Sequence, residues 1–233
     1  MLMEPNLNIP DQFLVLAHKQ DKPGFTGSGI SDQYLIFGLA GAILLDLSRL
    51  EAIRTEGGLI VPTGKEPDLC DAAKEALHTI RQSKKNRKVK YWVRKLDSLG
   101  HRYKKDALLN LHRQGMIRLE KKKFLGLIPY RKSYLLNWSY RKKRLEHLRK
   151  VMFSSKEAST EDAILLALIS ACGISSILAS HKKERKKIRK TLKAFTRNNE
   201  IAGAVSKTLQ EIQAAVAASV SAAAVASTAG AGN

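Results

Sequence analysis

Acidic residues are nearly missing from one third of this chain. Between Arg81 and Lys150 there are 4 Asp/Glu against 24 Lys/Arg, so this stretch accounts for the whole net charge of +20, while the remainder holds 17 of each sign. A merely solubilising surface mixes both signs. A one-signed stretch instead attracts polyanions, either nucleic acid or anionic lipid. Cysteine is also scarce. Cys70 and Cys172 form no CxxC pair, and the six histidines show no ligand spacing. That argues against a disulfide scaffold or a structural zinc site and fits a reducing compartment, the cytosol. No GxSxG, HExxH, P-loop or paired-carboxylate motif occurs, and "GLAGA" and "GSG" lack the strand-to-helix context of a dinucleotide fingerprint. Lone histidines such as His78, His112 and His147 read as helix-surface residues. The sequence supports no enzyme and requires no cofactor or metal.

Long apolar runs are few. The longest is Ala163–Ala179, seventeen residues interrupted by Ser170, Ser175 and Ser176. It sits at the lower limit for a bilayer span and reads better as a buried core helix. The first residues lack the basic and apolar regions of a signal peptide. With 44% hydrophobic and 27% charged residues among 233, the chain has material for a proper core in one large domain or two small ones.

The periodicities present are mostly helical. "NIPDQFLVLAHK" predicts a helix capped by Asp11, and "SDQYLIFGLAGAILLDLSRL" a buried central helix with Ser31 as N-cap. Gly38 and Gly41 inside it require another element packed closely against them. "AIRTEGGLIVPT" predicts a hairpin around Gly57-Gly58. A helix capped near Asp68 follows, then a basic loop "KKNRKVK" and a helix carrying Trp92, Val93 and Leu96. His101–Gln114 reads as a helix closed by Gly115. Ser159 or Thr160 caps a further buried helix, expected over Ile164–Leu178. The expected fold is mainly α: a single globular helical domain around buried central helices, with short β-hairpins. Residues 1–9 form an extension, 10–220 the domain, and 221–233 an Ala/Gly-rich flexible tail.

One predicted hairpin is unusual. Its tip holds Phe124, Leu125, Leu127 and Ile128, rimmed by Lys121, Lys122, Lys123, Arg131 and Lys132. Three partners fit. With helix 101–114 it makes a winged helix-turn-helix on DNA, although an apolar tip gains nothing from phosphates. As a membrane reader, it adds about 1 kcal/mol per basic residue near an anionic leaflet to about 1.5–3 kcal/mol per buried large apolar side chain. As a protein contact, the tip docks on another subunit or within this one.

Three stretches carry a family resemblance. "FGLAGAILLDL" resembles the core helix of the Golgi phosphoprotein 3 family. "KVKYWVRKL" followed by "LLNLHRQGMIRLEKKKFLGLIP" resembles its helix and hairpin. "STEDAILLALISACGISSILA", "ERKKIRKTL" and "EIAGAVSKTLQEIQAAVAAS" resemble its closing helices. The resemblance implies a phosphatidylinositol 4-phosphate pocket beside a membrane-dipping hairpin. It also implies an adaptor role toward cytosolic tails of membrane proteins; a homo-oligomer is what a tip docked on another subunit would give. The location would be peripheral, on the cytosolic Golgi or endomembrane face in a eukaryote, or the inner membrane surface in a bacterium. The family's pocket positions fall on Ser31, Ala40, His101 and Lys104, with Arg102 and Lys105 beside them. Ser31 replaces an aromatic residue and Ala40 an arginine, so weak headgroup discrimination is expected.

Overall fold

The computed structural model describes residues 7–19, 22–25, 32–124, 127–154, 158–198 and 204–229. Its elements are mainly helical: α1 (Ile9–Ala17), α2 (Gln33–Arg49), α3 (Asp71–Arg81), α4 (Val89–Lys95), α5 (Asp97–Arg113), α6 (Trp138–Phe153), α7 (Thr160–Ala171), α8 (Arg185–Asn198) and α9 (Ala204–Ala229). Strands β1 (Ile53–Glu56), β2 (Leu59–Pro62) and β3 (Arg87–Lys88) form one antiparallel sheet. β4 (Ile117–Phe124) and β5 (Ile128–Leu135) form a hairpin.

Helix α2 is the axis. It is apolar on every side, and α1, α3, α4, α5, α7 and α9 all pack on it. A helix without a polar face is stable only when enclosed in this way. The two glycines permit the close approach. A Cβ on Gly38 would lie 2.6 Å from the Phe13 ring and 2.7 Å from Cys172 Sγ, and one on Gly41 would lie 2.4 Å from Val216. Phe13 and Val216 are fully buried and have no room to retreat. Gly38→Val is therefore expected to destabilise by about 2 kcal/mol through overpacking. Helix propensity returns less than about 1 kcal/mol of that. Gly64→Ala, where nothing lies within 4 Å, is the neutral control. Paired thermal melts check the difference.

Several boundaries differ from the sequence expectation. The α1 cap is Asn8, whose Oδ1 accepts the Asp11 N–H at 2.8 Å. Asp11 lies one turn in, buried, and accepts the Tyr103 hydroxyl at 2.6 Å. The residue at the α2 cap position is Asp32, and Ser31 lies outside the described residues. Cys70, not Asp68, precedes α3. Part of the expected basic loop is β3, which pairs with β2. Helix α5 begins at Asp97, four residues early. The buried helix expected over Ile164–Leu178 ends at Ala171 and is followed by a 3-10 turn at Ser175–Leu178. Gly173 adopts φ +68°, and the Ile174 N–H closes on the Ile169 carbonyl at 3.1 Å, a Schellman stop. Helix α9 runs through Ala229, so Ser221–Ala229 is helical.

A polar cluster joins α1, α6 and α7. Arg144 bonds Asp162 at 2.6 Å, Glu161 at 3.0 Å and Gln12 at 3.0 Å. His147 reaches the second Asp162 oxygen at 3.0 Å. Ser159 caps α7 by accepting the Asp162 N–H at 3.1 Å. Burial pushes the Asp162 carboxyl up, but hydrogen bonds from His147, Ser159 and Arg144 outweigh it and hold the group below the usual range.

Candidate functional site

Gly115 ends α5 in the same way that Gly173 ends α7. Its φ is +68°, and the Met116 N–H returns to the Leu111 carbonyl at 2.9 Å. The chain reverses there into β4. Side chains alternate across a hairpin, and the register pairs Ile117 with Leu135, Leu119 with Ser133, and Lys121 with Arg131. On this one face Ile117, Leu135 and Ser133 are buried, Leu119 packs on the core, and Lys121, Lys123 and Arg131 are exposed. The base of the hairpin is thus anchored and its outer rungs project. The strands close at the pair Phe124 and Ile128, and Leu127 is 83% exposed. Leu125 lies outside the described residues.

The anchor is specific. The Gly24 N–H donates to the Ser133 carbonyl at 3.0 Å, and His18 Nε2 lies 3.1 Å from Ser133 Oγ. Burial, reinforced by the nearby Arg141 charge, draws the His18 pKa down, so the ring is neutral. Its Nδ1 then donates to the Lys19 carbonyl at 3.1 Å, and Nε2 accepts the serine proton.

Of the rim cations, Lys132 stands opposite Glu120 in the register and the other four differ in their partners. Lys122 pairs with Glu120 at 3.3 Å, Arg118 pairs with the same carboxylate at 3.0 Å, and Arg118 also lies over the Tyr134 ring. Lys121, Lys123 and Arg131 form no ion pair among the described residues. Lys121 stands directly opposite Arg131. Like charges in that position repel and destabilise a hairpin.

The expected headgroup residues are brought together only in part. His101, Arg102, Lys104 and Lys105 share α5. Arg102 is held by Glu75 of α3, and Lys104 by Asp32 at the mouth of α2. The Lys104 ammonium also sits 5.1 Å from the centre of the Phe25 ring. His101 lies 4.0 Å from Asp97. Lys105 is exposed without an ion pair among the described residues. Ala40, the other expected pocket position, is fully buried in the packing of α2. The acidic partners Asp32 and Glu75 and the ring of Phe25 were not foreseen, because none lies near α5 in sequence. The described residues contain no group of His, Cys, Asp and Glu able to hold a metal ion. None of the described helices is long and apolar enough to cross a membrane.

These features define a class: a mainly helical protein with an anchored, cationic hairpin whose turn exposes Leu127. The chain belongs to the Golgi phosphoprotein 3 family, whose model, Golgi phosphoprotein 3 (GPP34), matches residues 9–212. No curated protein matches the chain.

Proposed function

We propose that this is a non-catalytic, peripheral membrane-binding protein. It reads anionic lipid headgroups through the cations of α5 and β4–β5 and anchors through the apolar hairpin tip. One observation carries the reading. Lys121 and Arg131 face each other without an ion pair among the described residues, three register pairs below the Phe124–Ile128 closing pair of a hairpin whose turn exposes Leu127. That arrangement costs stability unless an anion lies between them, and a bilayer surface supplies phosphate beside hydrocarbon. Family membership supports phosphatidylinositol 4-phosphate as the lipid class. It also supports an adaptor role toward cytosolic tails of membrane proteins at the Golgi or an equivalent membrane surface.

Headgroup discrimination is expected to be weak. Two of the α5 cations are already neutralised by Asp32 and Glu75, so a headgroup must displace a carboxylate to gain them. Flotation on vesicles carrying phosphatidylserine, phosphatidylglycerol or phosphatidylinositol 4-phosphate at matched charge should give affinities within a few-fold of one another. A strong preference for phosphatidylinositol 4-phosphate would mean that those ion pairs exchange for it. Tight binding of duplex DNA with no flotation would replace the membrane reading with a winged-helix DNA regulator.

A further inference from the structure

A second candidate site lies away from the hairpin, between α6 and the 3-10 turn Ser175–Leu178. The two elements enclose a cleft of about 590 Å³, within the size range of small-molecule pockets. Leu145, Ile177 and Leu178 contribute apolar walls, and Arg141 lines the same cleft. Arg141 is only 8% exposed. Its Nε donates to the Leu16 carbonyl at 3.2 Å, and its guanidinium lies 5.9 Å from the Trp138 ring centre. It forms no ion pair with a carboxylate among the described residues. Burial draws its pKa down to about 10.

A buried charge is ordinarily paired, because desolvation is costly. The carbonyl at the end of α1 uses one of five guanidinium N–H donors. That contact explains a cation at a helix C-terminus, but it leaves the other donors at the edge of the cleft without a carboxylate. We infer that this cleft binds a small amphiphile with a single negative charge, its carboxylate or phosphodiester head on Arg141 and its hydrocarbon body against Leu145, Ile177 and Leu178. The rim sets the charge. Lys142 adds a cation and exposed Glu146 an anion, while Arg149 is already held by Glu184 at 2.9 Å. A doubly charged head would meet the Glu146 carboxylate.

The test uses the full chain carrying Leu127→Asp and Phe124→Asp, so that hairpin binding does not contribute. Octanoate and octyl phosphate, both below micellar concentration, are titrated by calorimetry and thermal shift beside inorganic phosphate and octyl glucoside. Octanoate should bind saturably and raise the melting temperature, whereas octyl phosphate, close to doubly charged at pH 7, should bind several-fold more weakly; octyl phosphate binding as tightly as octanoate would overturn the single-charge assignment. Inorganic phosphate and octyl glucoside should do neither. Arg141→Met should weaken binding by roughly tenfold or more, as expected for loss of charged hydrogen bonds, and exposed Lys142→Ala by a few-fold. Equal binding of octyl glucoside, or unchanged binding in folded Arg141→Met, would overturn the assignment. If Arg141→Met does not fold, unchanged binding in Lys142→Ala overturns it instead. None of these outcomes bears on vesicle binding by the hairpin.

Discussion

Replacing Phe124 and Leu127 together with aspartate should abolish vesicle binding. Transfer of two large apolar side chains into the headgroup–acyl boundary contributes about 3–6 kcal/mol, from about 1.5–3 kcal/mol each. Aspartates at the tip remove that contribution and add repulsion from anionic lipid. The loss corresponds to a factor of at least about a hundred in affinity. Lys121→Ala with Lys123→Ala should only weaken binding, by about 2 kcal/mol at low salt, and the deficit should shrink as salt rises. Lys122→Ala should matter less than either, because Glu120 already neutralises that side chain. Flotation of the four proteins across a salt series checks the order. If the aspartate pair floats normally but elutes as a monomer where the parent is an oligomer, the tip is a protein contact and the membrane reading fails.

The second large effect concerns the Asp162 cluster. Asp162→Ala leaves the Arg144 guanidinium, 16% exposed at the side chain, without its shortest partner. Removing one member of a buried pair costs about 3–5 kcal/mol. The lower end is expected here, because Glu161 and Gln12 still bond Arg144. For a chain of this length, about 3 kcal/mol lowers the melting temperature by roughly 6–12 °C. Glu161→Ala, whose carboxylate is 42% exposed, should cost less than about 1 kcal/mol.

The pH dependence separates two groups. Asp162 has a depressed folded pKa, so its contribution is fully present above the unfolded value of about 4 and is lost as pH falls through the folded one. Buried neutral His18 also has a depressed pKa. It therefore begins to favour the unfolded chain below about pH 6.5. Stability of the parent should fall in two stages on acidification. Asp162→Ala should make the later, more acidic stage shallower, with Glu184, held down to about 2 by Arg149, accounting for part of what is left, and should keep the earlier one. Denaturant melts from pH 7 to pH 3 decide this. An unchanged slope below pH 4 would remove Asp162 from the account.

The elements that the sequence reveals and those it hides differ in physical origin. The all-apolar run around Leu39 forces a central helix, and Gly38 and Gly41 within it announce close packing; both are found. The apolar-tipped hairpin follows from Gly115 and the strand pattern beyond it. What escaped depends on contacts remote in sequence. Asn8 caps α1, and Asp11 faces inward, where the hydroxyl of Tyr103, 92 residues away from Asp11, reaches both side chains. The strand in "KKNRKVK" exists because β2 has a free edge beside it. Gly173 carried the same stop signal as Gly115, but its apolar flanks on both sides masked it. The ion pairs of Arg102 and Lys104 join α5 to α3 and to the mouth of α2, a proximity that only the folded chain creates.

The stop at Gly173 has a consequence for biosynthesis. An uninterrupted helix over the seventeen residues Ala163–Ala179 would be about 26 Å long, close to the hydrocarbon thickness of the thinner cellular membranes. Helix α7, with twelve residues, is only about 18 Å long. The Schellman turn therefore divides an oily segment that insertion machinery would otherwise meet as one rod. It leaves a stub too short to bridge the bilayer, and that stub packs against α2 and α9 instead.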